Sequence, residues 1–182
     1  MMTREEMIAW LGEKIANKNL IKHMLAAEAA MGALAERFGE DVLKWRAAGL
    51  LHDIDLDVVG KDMSRHGNVS ADWLAEKGFP EDVVHAVRAH PGHLALESKM
   101  DIALYAVDPL TGLIVSAALI NPTKKIADID TEFVIKRFGE KRFAAGANRD
   151  VIRKCSDLGL ELTEFITITL NAMKGISAEL GL

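Results

Sequence analysis

The chain has 182 residues, 49% hydrophobic and 27% charged, which is enough to bury a sizeable core and excludes a disordered chain. Its formal net charge of -5 gives no basic footprint for double-stranded nucleic acid, yet a small anionic substrate can still be held through a metal. Cys155 is the single cysteine, which excludes an internal disulfide framework and a cysteine-based zinc site.

The opening MMTREEMIAW is charged and amphipathic, without a signal-peptide core, so the expected compartment is a reducing cytoplasm. Thr3 and Glu6 form a capping box that starts a helix reaching about Ala16. Asn17 to Asn19 punctuates, and a second helix runs from Leu20 towards Phe38, where Gly39 stops it. Along it His23, Ala27, Ala30 and Leu34 fall on one apolar face, so His23 is expected to point inward. Asp41 begins a third helix whose stripe of Val42, Trp45 and Gly49 leads to His52. Asp53 follows about 100° round the axis, close enough for both side chains to reach one point.

Residues 54 to 68 read as a loop carrying Gly60, Asp62 and His66, and a helix then extends to Lys77 before Gly78 and Pro80. The next helix, Glu81 to His90, places Val83, Val87 and His90 on one face, and Pro91 ends it. Ile102 to Ile120 is long and apolar enough to resemble a membrane span, but Asp108 and Pro109 interrupt it and a buried core helix is expected instead. Asn121 and Pro122 close that helix. The more polar remainder carries helical runs near 131–137, 149–157 and 163–180. The expectation is an all-α bundle forming a single domain over 1–182, with its core at about 20–120 and a C-terminal helical extension at about 121–182.

Taken singly, each polar residue on these stripes has a structural explanation. His23 could be a core histidine bonded to a carbonyl, and His52 could complement a helix dipole. Asp108 could cap a helix that starts with Pro109. His66 could be a loop residue and His90 a helix-ending one, while His85 and His93 fall off the inward stripe and read as surface residues. Taken together, three inward histidines and two carboxylates on separate helices are costly to bury unless paired or metal-bound. Imidazole and carboxylate suit Zn²⁺, Mn²⁺ and Fe²⁺ alike.

The order of these residues carries more than their spacing. His23, then His52-Asp53 in GLLHDID, then Asp108 in ALYAVDPLTGLI resembles the H…HD…D signature of the HD-domain superfamily of metal-dependent phosphohydrolases, over about residues 20 to 120. The resemblance implies His23, His52, Asp53 and Asp108 as ligands of a divalent metal, with Mn, Fe, Zn, Ni, Co and Mg not distinguished. It further implies His66 and His90 as ligands of a second ion, with Asp53 bridging the two and His52 and Asp53 at the catalytic centre. Where cyclic-dinucleotide phosphodiesterases of the superfamily carry HD-x-G-K, this chain has Asp55 and Leu56, which turns the expectation to a generic phosphohydrolase.

The implied reaction is hydrolysis of a phosphate ester of a small molecule or nucleotide by metal-activated water. Asp55 and Asp57 could orient that water, but solvating the loop is the plainer role. Arg149 could grip phosphate bidentately or pair with Glu140 or Asp150, and Lys124 with Lys125 offers further positive charge. Two alternatives stay open: a di-iron oxygenase using the same ligand set, and a non-enzymatic domain that binds a nucleotide or partner protein around a structural metal. Oligomeric state is not readable from the sequence, and no membrane partner is expected.

Overall fold

Side-chain caps start six of the eleven α-helices in the computed structural model, which describes residues 1–182 and contains no strand. Thr3 and Glu6 close the expected capping box on α1 (Arg4–Lys14). Asn17 caps α2 (Lys18–Phe38), and Gly39 ends it in the left-handed conformation at φ 68°. The Asp41 carboxylate accepts from Leu43 and Lys44 N–H at the start of α3 (Val42–Leu51). A short α4 (Leu56–Val59) lies within the expected loop, followed by α5 (Asn68–Glu76) and α6 (Glu81–Ala89).

The long helix α7 (Lys99–Ile120) begins at a second capping box, Ser98 with Asp101, and runs unbroken through Pro109. Asp108 is therefore mid-helix, inside the expected buried core helix that closes at Asn121, and it does not cap a helix starting at Pro109. Pro109 cannot donate to the Tyr105 carbonyl one turn back, but Leu104, Val107, Leu110 and Leu113 are fully buried on either side and hold the helix together. By length and composition α7 could cross a membrane; here it packs against α2, α3 and α6.

After a 3₁₀ turn at Ile126–Asp128 come α8 (Thr131–Gly139), α9 (Arg149–Ile152), a 3₁₀ stretch at Arg153–Leu158, α10 (Leu162–Gly175) and α11 (Ser177–Leu180). Phe165, Ile166, Leu170 and Met173 of α10 join one hydrophobic core with Leu11, Met24, Leu34 and Leu104. The closest helix pair is α2 and α3. Ala27 lies at the contact, and Gly49 lets α3 come so near that a Cβ there would sit 2.6 Å from the Ala27 carbonyl oxygen. That approach brings the end of α3, and with it His52, beside His23 on α2.

Candidate metal centre

Each expected ligand sits where an element ends or crosses another. His23 lies in the first half of α2, His52 at the C-cap of α3 and Asp53 in the turn beyond it. His66 precedes α5, His90 is the C-cap of α6, and Asp108 lies midway along α7. Gly67, at φ 77°, packs so tightly on Pro91 that a Cβ would fall 2.6 Å from its ring, which fixes the His66 loop against the end of α6.

The side chains converge in two groups that share Asp53. In the first, His23 Nε2 lies 3.2 Å from His52 Nε2, 3.0 Å from Asp108 Oδ1 and 3.5 Å from Asp53 Oδ2. His52 Nε2 lies 3.4 Å from Asp53 Oδ2 and 3.8 Å from Asp108 Oδ1. In the second, the other oxygen of Asp53 lies 3.3 Å from both His66 Nε2 and His90 Nε2, which are 3.1 Å apart. Ligand atoms about 2.1 Å from one cation stand about 3.0 Å apart in octahedral and about 3.4 Å apart in tetrahedral geometry. The observed separations have that spacing, and the mixed nitrogen and oxygen donors suit a divalent ion.

The far nitrogen of every imidazole is already engaged. His52 Nδ1–H donates to the Gly49 carbonyl at 2.8 Å and His90 Nδ1–H to the Val87 carbonyl at 2.6 Å. His66 Nδ1–H donates to Asp55 Oδ1 at 2.7 Å. The Thr111 hydroxyl donates to the Asp108 carbonyl at 2.9 Å, so it accepts from His23 Nδ1–H at 3.1 Å. With Nδ1 protonated, all four Nε2 lone pairs point inward, two nitrogens facing one another in each group. Such an array is stable with a cation or shared protons between the rings, and strained without them.

The field points the same way. Burial alone would lower the His52 imidazole, but the Asp53 and Asp108 carboxylates carry it up to about 9. Burial likewise opposes protonation of His66, and Asp53 and Asp55 raise it to about 9. His90 moves down, through its burial and the nearby His52 charge. Asp53 and Asp108 would be pushed up by burial, yet the histidines hold both below the usual carboxylate range.

Asp55 is a correction to the sequence reading. It is fully buried and does not solvate the loop: its carboxylate accepts from His66 Nδ1–H, Gly67 N–H at 2.9 Å and Ser70 N–H at 3.0 Å. It orients His66. Thr111 does the same for His23 and was missed, although it stands three residues after Asp108 on one helical face. Asp57 is exposed and accepts from Ala16 N–H at 2.8 Å, tying the end of α1 to α4. His85 lies beside Asp101 at 3.0 Å, and the exposed His93 donates to the Met63 carbonyl at 3.0 Å.

The two cationic candidates are not brought to this centre. Arg149 instead gathers backbone carbonyls from Phe138, Glu140, Phe143, Ala144 and Ala147, which occupies the guanidinium donors expected to grip phosphate. Neither Glu140 nor Asp150 pairs with it through a carboxylate. Lys124 lies in the turn beyond α7, whose last residue is about 18 Å along the helix axis from Asp108 at 1.5 Å per residue.

An all-α fold that brings four histidines and two aspartates into two adjoining groups presents donor sets that could hold a divalent metal. The HD domain family matches residues 20–118, more than half of the chain. The chain belongs to the HD domain family, within the superfamily of metal-dependent phosphohydrolases. Ribonuclease Y of Nitratidesulfovibrio vulgaris is 28% identical over 138 residues, covering 74% of this chain and 27% of its own length. Ribonuclease Y of Desulfotalea psychrophila is 30% identical over 139 residues, covering 74% and 26%. Ribonuclease Y 2 of Bdellovibrio bacteriovorus is 36% identical over 83 residues, covering 44% and 15%. The chain thus spans about a quarter of the length of the first two relatives.

Proposed function

We propose that this chain is a two-metal phosphohydrolase acting on a phosphate ester of a small molecule or nucleotide. The observation that carries the proposal is Asp53, whose two oxygens each close a separate group of Nε2 atoms at 3.3–3.5 Å. His23, His52, Asp53 and Asp108 would hold one divalent cation, and Asp53, His66 and His90 the other. Cations bound there would polarise a phosphoryl oxygen and make water nucleophilic at neutral pH.

The protein's own part is positioning and electrostatics. Gly49, Val87, Asp55 and Thr111 fix the four imidazoles, so that the donor set is formed before substrate arrives. The charged Asp53 and Asp108 would balance the cations, and burial of His52, His66 and His90 keeps bulk water from one side of the centre. The relatives' name, ribonuclease, adds RNA phosphodiesters to the substrates worth testing.

The test is elemental analysis of protein purified without chelator, followed by phosphomonoester, phosphodiester and short-RNA assays with the metal found. About two equivalents of metal and hydrolysis of one ester class support the reading, with both lost in the His52→Ala, Asp53→Ala double variant. A native protein that stays empty after dialysis against Mn, Fe, Zn, Ni and Co overturns it.

A further inference from the structure

The metal centre is open on one side. Its side chains are 0% exposed at His52, 1% at His90 and 7–8% at His66 and Asp53, but 22% at His23 and 35% at Asp108. A cavity of about 360 Å³ lies beside the centre, lined by His23 and by the Thr111 that holds its Nδ1 but not by Asp108, between α2, α7 and the segment 180–182. That volume lies in the small-ligand range of about 300–1,000 Å³. Val115, Leu119, Leu180 and Leu182 give it apolar walls, and Lys22 is the one cation in its lining. Lys22 forms no ion pair, unlike Lys44, Lys99 and Lys154, which each hold a carboxylate.

We infer that this cavity is the subsite for the organic group of the substrate, so that the substrate is a small phosphate ester carrying one apolar or aromatic group of about ring size. The inference rests on the phosphohydrolase reading and narrows it. A phosphate at the metal centre puts its substituent against α2 and α7, where Leu119 is half exposed and unpartnered. Lys22, next to His23 on α2, supplies a positive charge for the anion. An extended polynucleotide needs a groove lined with several cations and stacking aromatics. This cavity has one lysine and no aromatic ring other than His23, so it favours a single small ester.

Gly112 allows a direct test. It lines the cavity, and a Cβ built on it meets no atom within 4 Å, so a larger side chain can be added at the cavity rim without displacing the helix. The experiment is calorimetry of the Mn-loaded full chain with phenylphosphonate and methylphosphonate, which share the anion and differ in the ring. Phenylphosphonate is expected to bind at least tenfold more tightly. Gly112→Phe should abolish that preference while leaving metal content and methylphosphonate affinity unchanged. Leu119→Gln, at a half-exposed position that tolerates change, should reduce it too, and Lys22→Gln should weaken both ligands severalfold. Equal affinities in the native protein, or a preference that survives both cavity variants, overturn the subsite and leave the metal-centre reading standing. If neither phosphonate binds the Mn-loaded protein, the phosphohydrolase reading falls with it.

Discussion

Asp53 is the residue on which the centre turns, because one of its oxygens stands at each group of nitrogens. Asp53→Ala is expected to lose both metals, whereas His66→Ala should lose one and keep the other, so stoichiometry falls from about two to about one. Mass spectrometry under native conditions reads the difference, and an unchanged ratio in His66→Ala would remove the second site. Asp55→Ala tests the orienting role by a different route. Three donors lose their acceptor, at about 1–3 kcal/mol for each one left buried and unsatisfied. Loss of an outer partner also costs about 10–100-fold in metal affinity. Asp55→Asn keeps an acceptor oxygen and should recover part of both. The histidines and aspartates that converge were legible chiefly through their H…HD…D order, since taken singly each had a structural explanation. Asp55 was not, since its partners Gly67 and Ser70 lie across a loop whose path no periodicity reveals. Arg149 was misread because an arginine that gathers carbonyls looks, in sequence, like one free to bind phosphate.

Among the elements, α2 and α3 set the distance between His23 and His52. Gly49→Ala would place a methyl group 2.6 Å from the Ala27 carbonyl oxygen, so α3 must move away. The expected cost is about 1–3 kcal/mol of overpacking, with weaker metal binding because His52 moves with the helix. Thermal melts and metal titration of the variant check both, and unchanged values would show that the close approach is dispensable. Helix starts at Thr3, Asp41 and Glu81 were readable because caps and prolines act locally. The buried helix around Asp108, closed at Asn121, was readable from its apolar run; the alternative start at Pro109 is what failed. Asp-Pro is a good local helix start, but the buried leucines flanking Pro109 hold the chain helical through it, so packing overrides the local preference.

For the whole molecule, core and centre are one construction. The residues expected to form an extension after 120 supply Phe165, Ile166, Leu170 and Met173 to the same interior as α2 and α7. Deleting residues 162–182 is therefore expected to give an unfolded or insoluble chain rather than a smaller active one, which circular dichroism would decide. Metal should stabilise the fold by mass action, by about 2.7 kcal/mol at a free concentration a hundredfold above Kd. That corresponds to a rise in Tm of about 5–10 °C for a chain of this size, reversed by a chelator. Loading should also release protons. His52 and His66 keep theirs up to about 9 in the metal-free protein, so at pH 7.5 a cation must displace them. Affinity should then rise with pH towards 9, and an indicator dye in weak buffer would record the acid liberated.

The cage around Arg149 has a consequence for motion. Between α8 and α9 the chain folds its carbonyls inward onto one guanidinium, which, with Phe143 and Ala147 packed on the core, holds residues 140–148 in order. Such a loop opens as a unit or not at all. A lysine in its place, with fewer donors and no planar fork, would leave most of those carbonyls to solvent. Amides there would exchange rapidly and a protease would find a cutting site, while the histidines of the centre, on other elements, kept their places.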